Sequence, residues 1–402
     1  MKSSSWFAEA SATGSAQRRV PFSRPSIGEE EINEVVRCLR SGWITTGPLT
    51  AQFEQDFQAY VGVPHALAVS SATAGLHLAM LALDLQPGDE VITTPVTWPA
   101  TLNAILFAGG TPVFADVEAE TLNVDLGAVE RKLGPRTRAI LPVHFAGQPC
   151  DVDALLGLAE PRRIAIVEDA AHAIGAELRG RRIGALDSDV AVFSFHPIKN
   201  ITTGEGGMLT TRNADVAHRL RLLRFHGVER DAWAAYGRPQ VPLYDVVMPG
   251  LKYNLTDLHA ALGIHQLRKL EAFLARRAEL ARRYDEAFTD VPELTPLGRA
   301  TYPHQHARHL YVVRLLTERL TIDRDGFMAE LQAAGIGVGL HFTAAHRLSY
   351  YRKRLGDATA DLPTATDVSG RILSLPLYPS LGDDDHQYVI DVIRHIIRSR
   401  RR

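Results

Sequence analysis

The chain has 402 residues, room for two or three domains or for one large α/β domain with a smaller companion. Its make-up, 46% hydrophobic and 22% charged with 31 Gly and 22 Pro, excludes the collagenous, coiled-coil and disordered classes. Lys plus Arg number 44 against 46 Asp plus Glu, which leaves no field for gripping a nucleic-acid backbone or an anionic membrane, and Cys38 and Cys150 are too few for a disulfide framework or a four-ligand zinc site.

Residues 1–20, rich in Ser and Ala with Arg18 and Arg19 late, lack the basic-then-apolar order of a signal peptide and read as a flexible arm. No apolar run reaches the roughly eighteen residues needed to cross a bilayer, and the sparse cysteines fit a reducing cytoplasm. From residue 21 onward, short apolar runs at 66–70, 90–94, 111–115, 139–143, 164–168 and 190–194 predict strands buried on both faces, as in a mostly parallel sheet. Between them, 73–83, 99–108 and 153–159 carry apolar residues at helical spacing, which gives a βαβ rhythm. Leu, Ala and Ile at three-to-four spacing then predict one long amphipathic helix from Asp257 to about Phe288. A strand at 309–314 and helices at 325–334 and 386–397 follow, separated by Pro- and Gly-bearing loops. The expected organisation is a large α/β domain over 21–270 and a small α+β domain over 271–402.

The chemistry concentrates at strand ends. After the strand 190–194 comes SFHPIKNITTGEGG, which holds Lys199 in a turn closed by Gly204, Gly206 and Gly207. Lone lysines prefer water, but the apolar run Val192-Phe-Ser-Phe195 predicts a partly desolvated amine. Desolvation lowers its pKa and makes it a nucleophile able to form a Schiff base with a carbonyl. Such a lysine needs an electron sink, and pyridoxal phosphate demands an acid for its ring nitrogen and donors for its phosphate. Asp169, which ends the strand 164–168, supplies the acid at the carboxyl edge of the sheet, although Asp also caps many ordinary helices. His172, one helical turn on, is within reach of the ring hydroxyl. SSATAG, where strand passes to helix at Ala72 and Thr73, offers backbone amides at a helix N-terminus, and Ser194 adds a hydroxyl for the same phosphate. Trp98 follows another strand end, where its indole either stacks on the cofactor ring or packs in the core.

The ordered stretches SSATAGLH, TW, EDAAHA, SFHPIKNITTGEGG, FHG and KYNLTDLHAALG resemble the DegT/DnrJ/EryC1/StrS sugar aminotransferases over nearly the whole folded chain. The resemblance implies the aspartate-aminotransferase-like fold type I of pyridoxal-phosphate enzymes, a large, mostly parallel seven-stranded α/β sheet domain with a small α+β domain. It implies that Lys199 bonds the cofactor, Asp169 pairs with the ring nitrogen, His172 lies by the ring hydroxyl, and Ala72, Thr73 and Ser194 hold the phosphate. It further implies that Asn254 reaches the phosphate from a neighbouring subunit, making the protein a homodimer with shared sites. Within the family, PFSRPSIGEEE, SGWITTGP, PVHFAGQPCDVDAL and SGRILSLPLYPS resemble the enzymes of lipid A modification that convert a UDP-4-keto-pentose to UDP-4-amino-4-deoxy-L-arabinose with glutamate as donor and 2-oxoglutarate as product. Other UDP- or dTDP-linked keto hexoses stay open as substrates. Candidate contacts to the sugar nucleotide are Trp43, for stacking, and Arg224 with His226, as donors; the resemblance adds His309 and His341.

Three other patterns carry less. His304, His306 and His309 cluster in sequence but do not share one strand face, and no carboxylate accompanies them, so no metal is expected. Gly335, Gly337 and Gly339 follow a helix and lack the third glycine and helix of a dinucleotide fingerprint. Sugar 3-dehydratases of the same fold replace the reactive lysine with histidine, which Lys199 argues against; a non-catalytic binding protein on the same scaffold is the alternative of another class.

Overall fold

The computed structural model describes residues 18–229 and 244–402. Seven strands form the main sheet: β1 (His65–Val69), β2 (Glu90–Thr93), β3 (Thr111–Phe114), β4 (Thr137–Leu141), β5 (Ala165–Asp169), β6 (Val190–Ser194) and β7 (Gly207–Thr211). Their spatial order is β1-β7-β6-β5-β4-β2-β3. All neighbours run parallel except β7, which is antiparallel to both β1 and β6. β6 is buried at all five positions and β5 at four of five, which is why they read as unbroken apolar runs.

Six strands lie within two residues of where the apolar runs predict them. β7 was not anticipated, because GMLTT directly continues a glycine-rich turn and lacks a long apolar run of its own. Its first residue shows why that turn must end in glycine: a Cβ on Gly207 would sit 2.7 Å from Ala72 N and 2.8 Å from Phe193 O. The strand therefore passes hard against the start of a helix, α3 (Ala72–Ala82). Two unanticipated helices, α1 (Glu29–Ser41) and α2 (Pro48–Val61), lead into β1, and α4 (Pro99–Phe107) follows β2 with Pro at its start.

The long helix runs Asp257–Ala287, about 46 Å at 1.5 Å per residue. Its first half buries Ala260, Ile264, Leu270 and Leu274 in the core of the main sheet, and its second half buries Leu280, Ala281 and Tyr284 in a separate apolar cluster. That second cluster lies under a three-stranded antiparallel sheet of β8 (Leu294–Pro296), β9 (Tyr311–Leu315) and β10 (Ile372–Leu375). Helices Arg324–Ala333 and Asp383–Arg400 complete it. The terminal helix starts three residues earlier than its apolar pattern predicts, since Asp383, Asp384 and Asp385 favour the positive end of the helix dipole.

Of the N-terminal arm, residues 1–17 lie outside the described residues. Residues 18–20, counted with the arm, belong to the fold instead. Val20 is 1% exposed and pairs with Ile336, its N–H donating to Gly335 O at 2.9 Å, and Arg18 forms an ion pair with Asp385 at 2.8 Å. This contact also explains the glycine triplet: a Cβ on Gly335 would lie 2.1 Å from Arg18 O, and one on Gly337 2.5 Å from Phe22 N. Among the described residues no helix is long and apolar enough to cross a membrane.

Candidate active site

Parallel strands point their carboxyl ends to one edge of the sheet, and the residues just past β1, β2, β5 and β6 meet there around a cavity of about 460 Å³. Ser71, Ala72, Thr73, Trp98, Asp169, His172, Ser194, Lys199 and His341 all line it.

Asp169 ends β5 and is 5% exposed. Its Oδ2 accepts the Thr101 hydroxyl at 2.8 Å, and Thr101 is in turn bonded to the Thr97 hydroxyl at 2.7 Å. Oδ1 accepts the Ala171 N–H at 3.2 Å. Burial pushes the Asp169 pKa up, against the opposing pull of those two bonds and of the Lys199 and His144 charges. The residue caps no helix: 170–175 form turns, so His172 is carried by a turn and not by the helix that its sequence spacing predicts. Gly175, at φ 79°, helps to break that helix, and a Cβ there would meet Leu274 at 2.3 Å.

Lys199 lies in the loop between β6 and β7. Its N–H donates to His196 O at 2.8 Å, while Thr202 Oγ1 and Thr203 N both donate to Phe195 O, at 2.9 and 3.0 Å. These bonds hold the loop as a rigid bracket. The residue is partly open to the cavity, yet desolvation draws its amine pKa down to about 8, against the pull of the Asp169 carboxylate. An amine of that pKa is about a tenth neutral at pH 7, against about one part in three thousand for an ordinary lysine.

His172 is sandwiched between His309, ring centroids 4.4 Å apart, and Phe342, 6.0 Å away and nearly parallel at 18°. Burial, with the Lys199 charge second, pushes its pKa well down, so the ring is neutral, and its buried Nδ1 has no hydrogen-bond partner among the described residues. Opposite, Ser71 caps α3, its Oγ accepting the Ala74 N–H at 3.1 Å, which leaves the N–H groups of Ala72 and Thr73 at the helix start. Trp98 is 63% exposed at the N-cap of α4, its ring 6.0 Å from Phe342. His341 is bonded through Nδ1 to Ser374 Oγ at 2.9 Å, and burial draws its pKa down to about 4.

Five sequence candidates fall outside the cavity lining. His309 is buried behind His172, with Nδ1 on Asn200 Oδ1 at 3.2 Å, and so backs the site instead of facing a substrate. Arg224 is committed to Glu54 at 2.5 Å and to the Ala68 carbonyl at 2.8 Å, a structural tie between β1 and its flanking helices. Trp43 is exposed, with Nε1 donating to Thr46 O at 3.2 Å. Asn254 pairs with Val69 at the end of β1 and bonds Thr46 and Lys252. His226, too, does not line the cavity. Conversely, Ser71, Thr97, His196, Glu205 and Phe342 line it without having been singled out, and Thr101 supports it from behind. Thr97 and Thr101 were legible as hydroxyls four residues apart across a strand-to-helix turn; Phe342 comes from the far unit and carried no local signal.

The set fits the cofactor expected from the sequence. A buried carboxylate short of donors suits a protonated ring nitrogen, a neutral imidazole with a free nitrogen suits a ring hydroxyl, and a capped helix start crossed by side-chain-free Gly207 suits a phosphate.

The description "DegT/DnrJ/EryC1/StrS aminotransferase family" matches residues 25–394. Among solved structures, the chain is similar to the putative sugar aminotransferase Spr1654 from Streptococcus pneumoniae in its PMP form, with 35% identity and a TM-score of 0.89, covering 95% of this chain and 100% of that one. It is similar to S. venezuelae DesV, solved with a ketimine intermediate, at 36% identity and TM-score 0.83 over 92% and 94%. Helicobacter pylori PseC, an aminotransferase involved in pseudoaminic acid biosynthesis, matches at 29% identity and TM-score 0.87 over 95% and 100%.

Proposed function

The chain belongs to the DegT/DnrJ/EryC1/StrS aminotransferase family, and from that premise we propose that it uses pyridoxal phosphate to move the amino group of glutamate to C4 of a nucleotide-linked keto sugar. The observation that carries this reading is the meeting of Lys199, Asp169 and His172 with the start of α3 around one cavity. The relatives solved in PLP and PMP forms support the choice of cofactor.

When bound, the cofactor supplies an aldehyde carbon that carries the amino group and a ring that takes up the electron pair left by the departing α-proton. The protein does the rest. Asp169 holds a ring N–H, and its burial makes that charge-assisted bond strong. The N–H groups at Ala72 and Thr73 with the Ser71 and Ser194 hydroxyls hold the phosphate. Trp98, which lines the cavity and is largely exposed, would offer its indole for stacking on the cofactor ring. Lys199 is first nucleophile, then base: its low pKa leaves an amine that takes the proton from the α-carbon of glutamate and later delivers one to C4 of the sugar. Donor and acceptor occupy the same cavity in turn, so the kinetics are ping-pong, with 2-oxoglutarate leaving before the sugar enters.

The finer assignment, a UDP-4-keto-pentose giving UDP-4-amino-4-deoxy-L-arabinose, rests on the resemblance of PFSRPSIGEEE, SGWITTGP and PVHFAGQPCDVDAL to that enzyme group. His341 is the substrate candidate that lines the cavity. The homodimer belongs to the same proposal: Asn254 does not line its own chain's cavity, and its side chain bonds Thr46 and Lys252, which leaves the resemblance to support a contact made in a partner's site. Cytoplasmic placement is supported by two buried free thiols. Protein loaded with pyridoxal phosphate is expected to be yellow, to bleach with glutamate, and to carry a borohydride-fixed pyridoxyl group on Lys199. Colour without bleaching points to a binder, and a group fixed elsewhere ends the assignment. A panel of UDP- and dTDP-linked keto sugars tests the acceptor.

A further inference from the structure

His172 owes its place to a second histidine that no step of the proposed chemistry uses. Three separate parts of the chain fix His309. Its N–H donates to Ala146 O at 3.1 Å in the turn after β4, its carbonyl accepts Arg277 Nη1 of the long helix at 3.1 Å, and its Nδ1 meets Asn200 Oδ1 at 3.2 Å. Asn200 follows Lys199 directly and is 4% exposed. Its Nδ2 donates to Ala307 O at 2.8 Å, so the amide oxygen is the atom turned to His309, and that ring carries its proton on Nδ1. His309 Nε2 is therefore bare. This nitrogen and His172 Nδ1 are both buried with no hydrogen-bond partner among the described residues, where a buried polar atom normally has one. The two rings nevertheless lie close, with centroids 4.4 Å apart and planes inclined by 38°. Gly147 makes the approach possible: it stands at φ 93°, and a Cβ there would be 2.7 Å from His172 O and 3.2 Å from His309 N.

We propose that His309 is a positioning residue: anchored by Asn200, it holds the His172 ring dry and in one orientation at the cavity, and so ties that orientation to the loop that carries Lys199. Water is the alternative neighbour for an unpaired ring nitrogen. A stacked imidazole whose own proton is spent on Asn200 shuts water out without offering a hydrogen bond in its place. The groups whose charges reach His172 are Lys199, His341 and His144, all cationic when protonated, while Asp169 lines the same cavity. His309 in turn meets the charges of His172, Lys199, Arg277 and His341. A proton added to either ring would thus enter a dry place that already faces an ammonium. The consequence for cofactor binding rests on the proposed meeting of His172 with the ring hydroxyl, whereas the histidine pair is a property of the cofactor-free chain.

Full-length, cofactor-free protein with histidine 13C-labelled at Cε1 tests the pair by NMR, the His172 signal being identified by its loss in His172→Gln. In the parent that signal is expected to stay flat down to about pH 5.5, whereas in His309→Ala water enters beside Nδ1 and the signal titrates near the ordinary value of about 6.5. His309→Phe, which stacks without a nitrogen, is expected to keep it flat. A flat signal in His309→Ala, or an equal titration in His309→Phe, overturns the proposal. Should His309→Ala fail to fold, Asn200→Ala is expected to bring the same titration, because an untied ring no longer seals His172; a His172 signal identical to the parent's overturns it there. Pyridoxal phosphate titrated into the same proteins gives a second readout, a dissociation constant raised at least about tenfold in His309→Ala and within about threefold of the parent in His309→Phe. Unchanged affinity in His309→Ala, or equal weakening in both variants, counts against the positioning role. A parent that binds no pyridoxal phosphate ends the proposed function instead, and the NMR titration still decides the pair.

Discussion

Two buried aspartates, Asp169 and Asp257, stand beside the same sheet and do opposite work. Asp257 opens the long helix at 1% exposure and accepts the N–H groups of Gly47, Leu49 and Thr50 at 2.7, 3.1 and 2.9 Å, with the Thr50 hydroxyl at 2.7 Å. It thereby caps α2, whose own N-cap Gly47 has no side chain to offer. Asp169 is nearly as buried but, among the described residues, accepts one hydroxyl and one N–H, and burial pushes its pKa up against those two bonds. A carboxylate saturated by four donors holds a fold together, whereas one left short of donors is available to a cationic partner that arrives later.

That contrast can be broken from either side. The largest effect is expected one step away from Asp169, at its neighbour across the cavity: Lys199→Ala should lower turnover at least about a thousandfold, over 4 kcal/mol of transition-state stabilisation. Borohydride mapping of the same variant should find no pyridoxyl peptide. Asp169→Asn is expected to cost about a hundredfold in the single-turnover rate with glutamate while the melting temperature moves little; a near-parental rate would remove Asp169 from the ring-nitrogen role. Asp257→Ala should reverse the pattern. Leaving four donors unpaired is expected to cost about 3 kcal/mol in urea unfolding, with the glutamate half-reaction of the folded protein within about twofold of the parent.

The pH dependence sharpens the comparison from the cationic side. In cofactor-free protein the Lys199 pKa of about 8 lies below its ordinary 10.5, so the unfolded chain binds more protons between those values and stability rises with pH across that window. Below about pH 8 the buried ammonium destabilises the fold in full. Lys199→Met should therefore be more stable than the parent by about 2 kcal/mol at pH 7, allowing for water in the cavity, with the gap closing toward pH 10.5. The smallest expected effect is Thr101→Val, which removes one donor from Asp169 and should slow the glutamate half-reaction about tenfold. No slowing would mean that the Thr97-Thr101 chain only packs.

Much of the site could be read before any coordinates. Asp169, Ser194, Thr73 and Trp98 were legible because each ends an apolar run or follows one directly, and Lys199 because three glycines close its loop after β6. Where the reading went astray, the cause was distance along the chain. Arg224 looked like a free donor until Glu54, 170 positions away, was seen to hold it. His309 looked like a substrate contact, but Asn200 turns it to the back of His172 from 109 positions away.

The order of chemistry-bearing residues at strand ends and the glycine-closed loop of Lys199 followed from the linear sequence, because strand burial and glycine placement are written in local periodicity, while the aminotransferase family was carried by the resemblance of ordered motifs. Only the folded chain decided that β7 runs antiparallel between β1 and β6, that Val20 enters the fold along a glycine groove, and that Asp257 of the long helix caps α2. Those outcomes depend on which distant surfaces meet, and hydrogen-bond and charge partners drawn from a hundred positions away leave no periodic trace in the residues themselves.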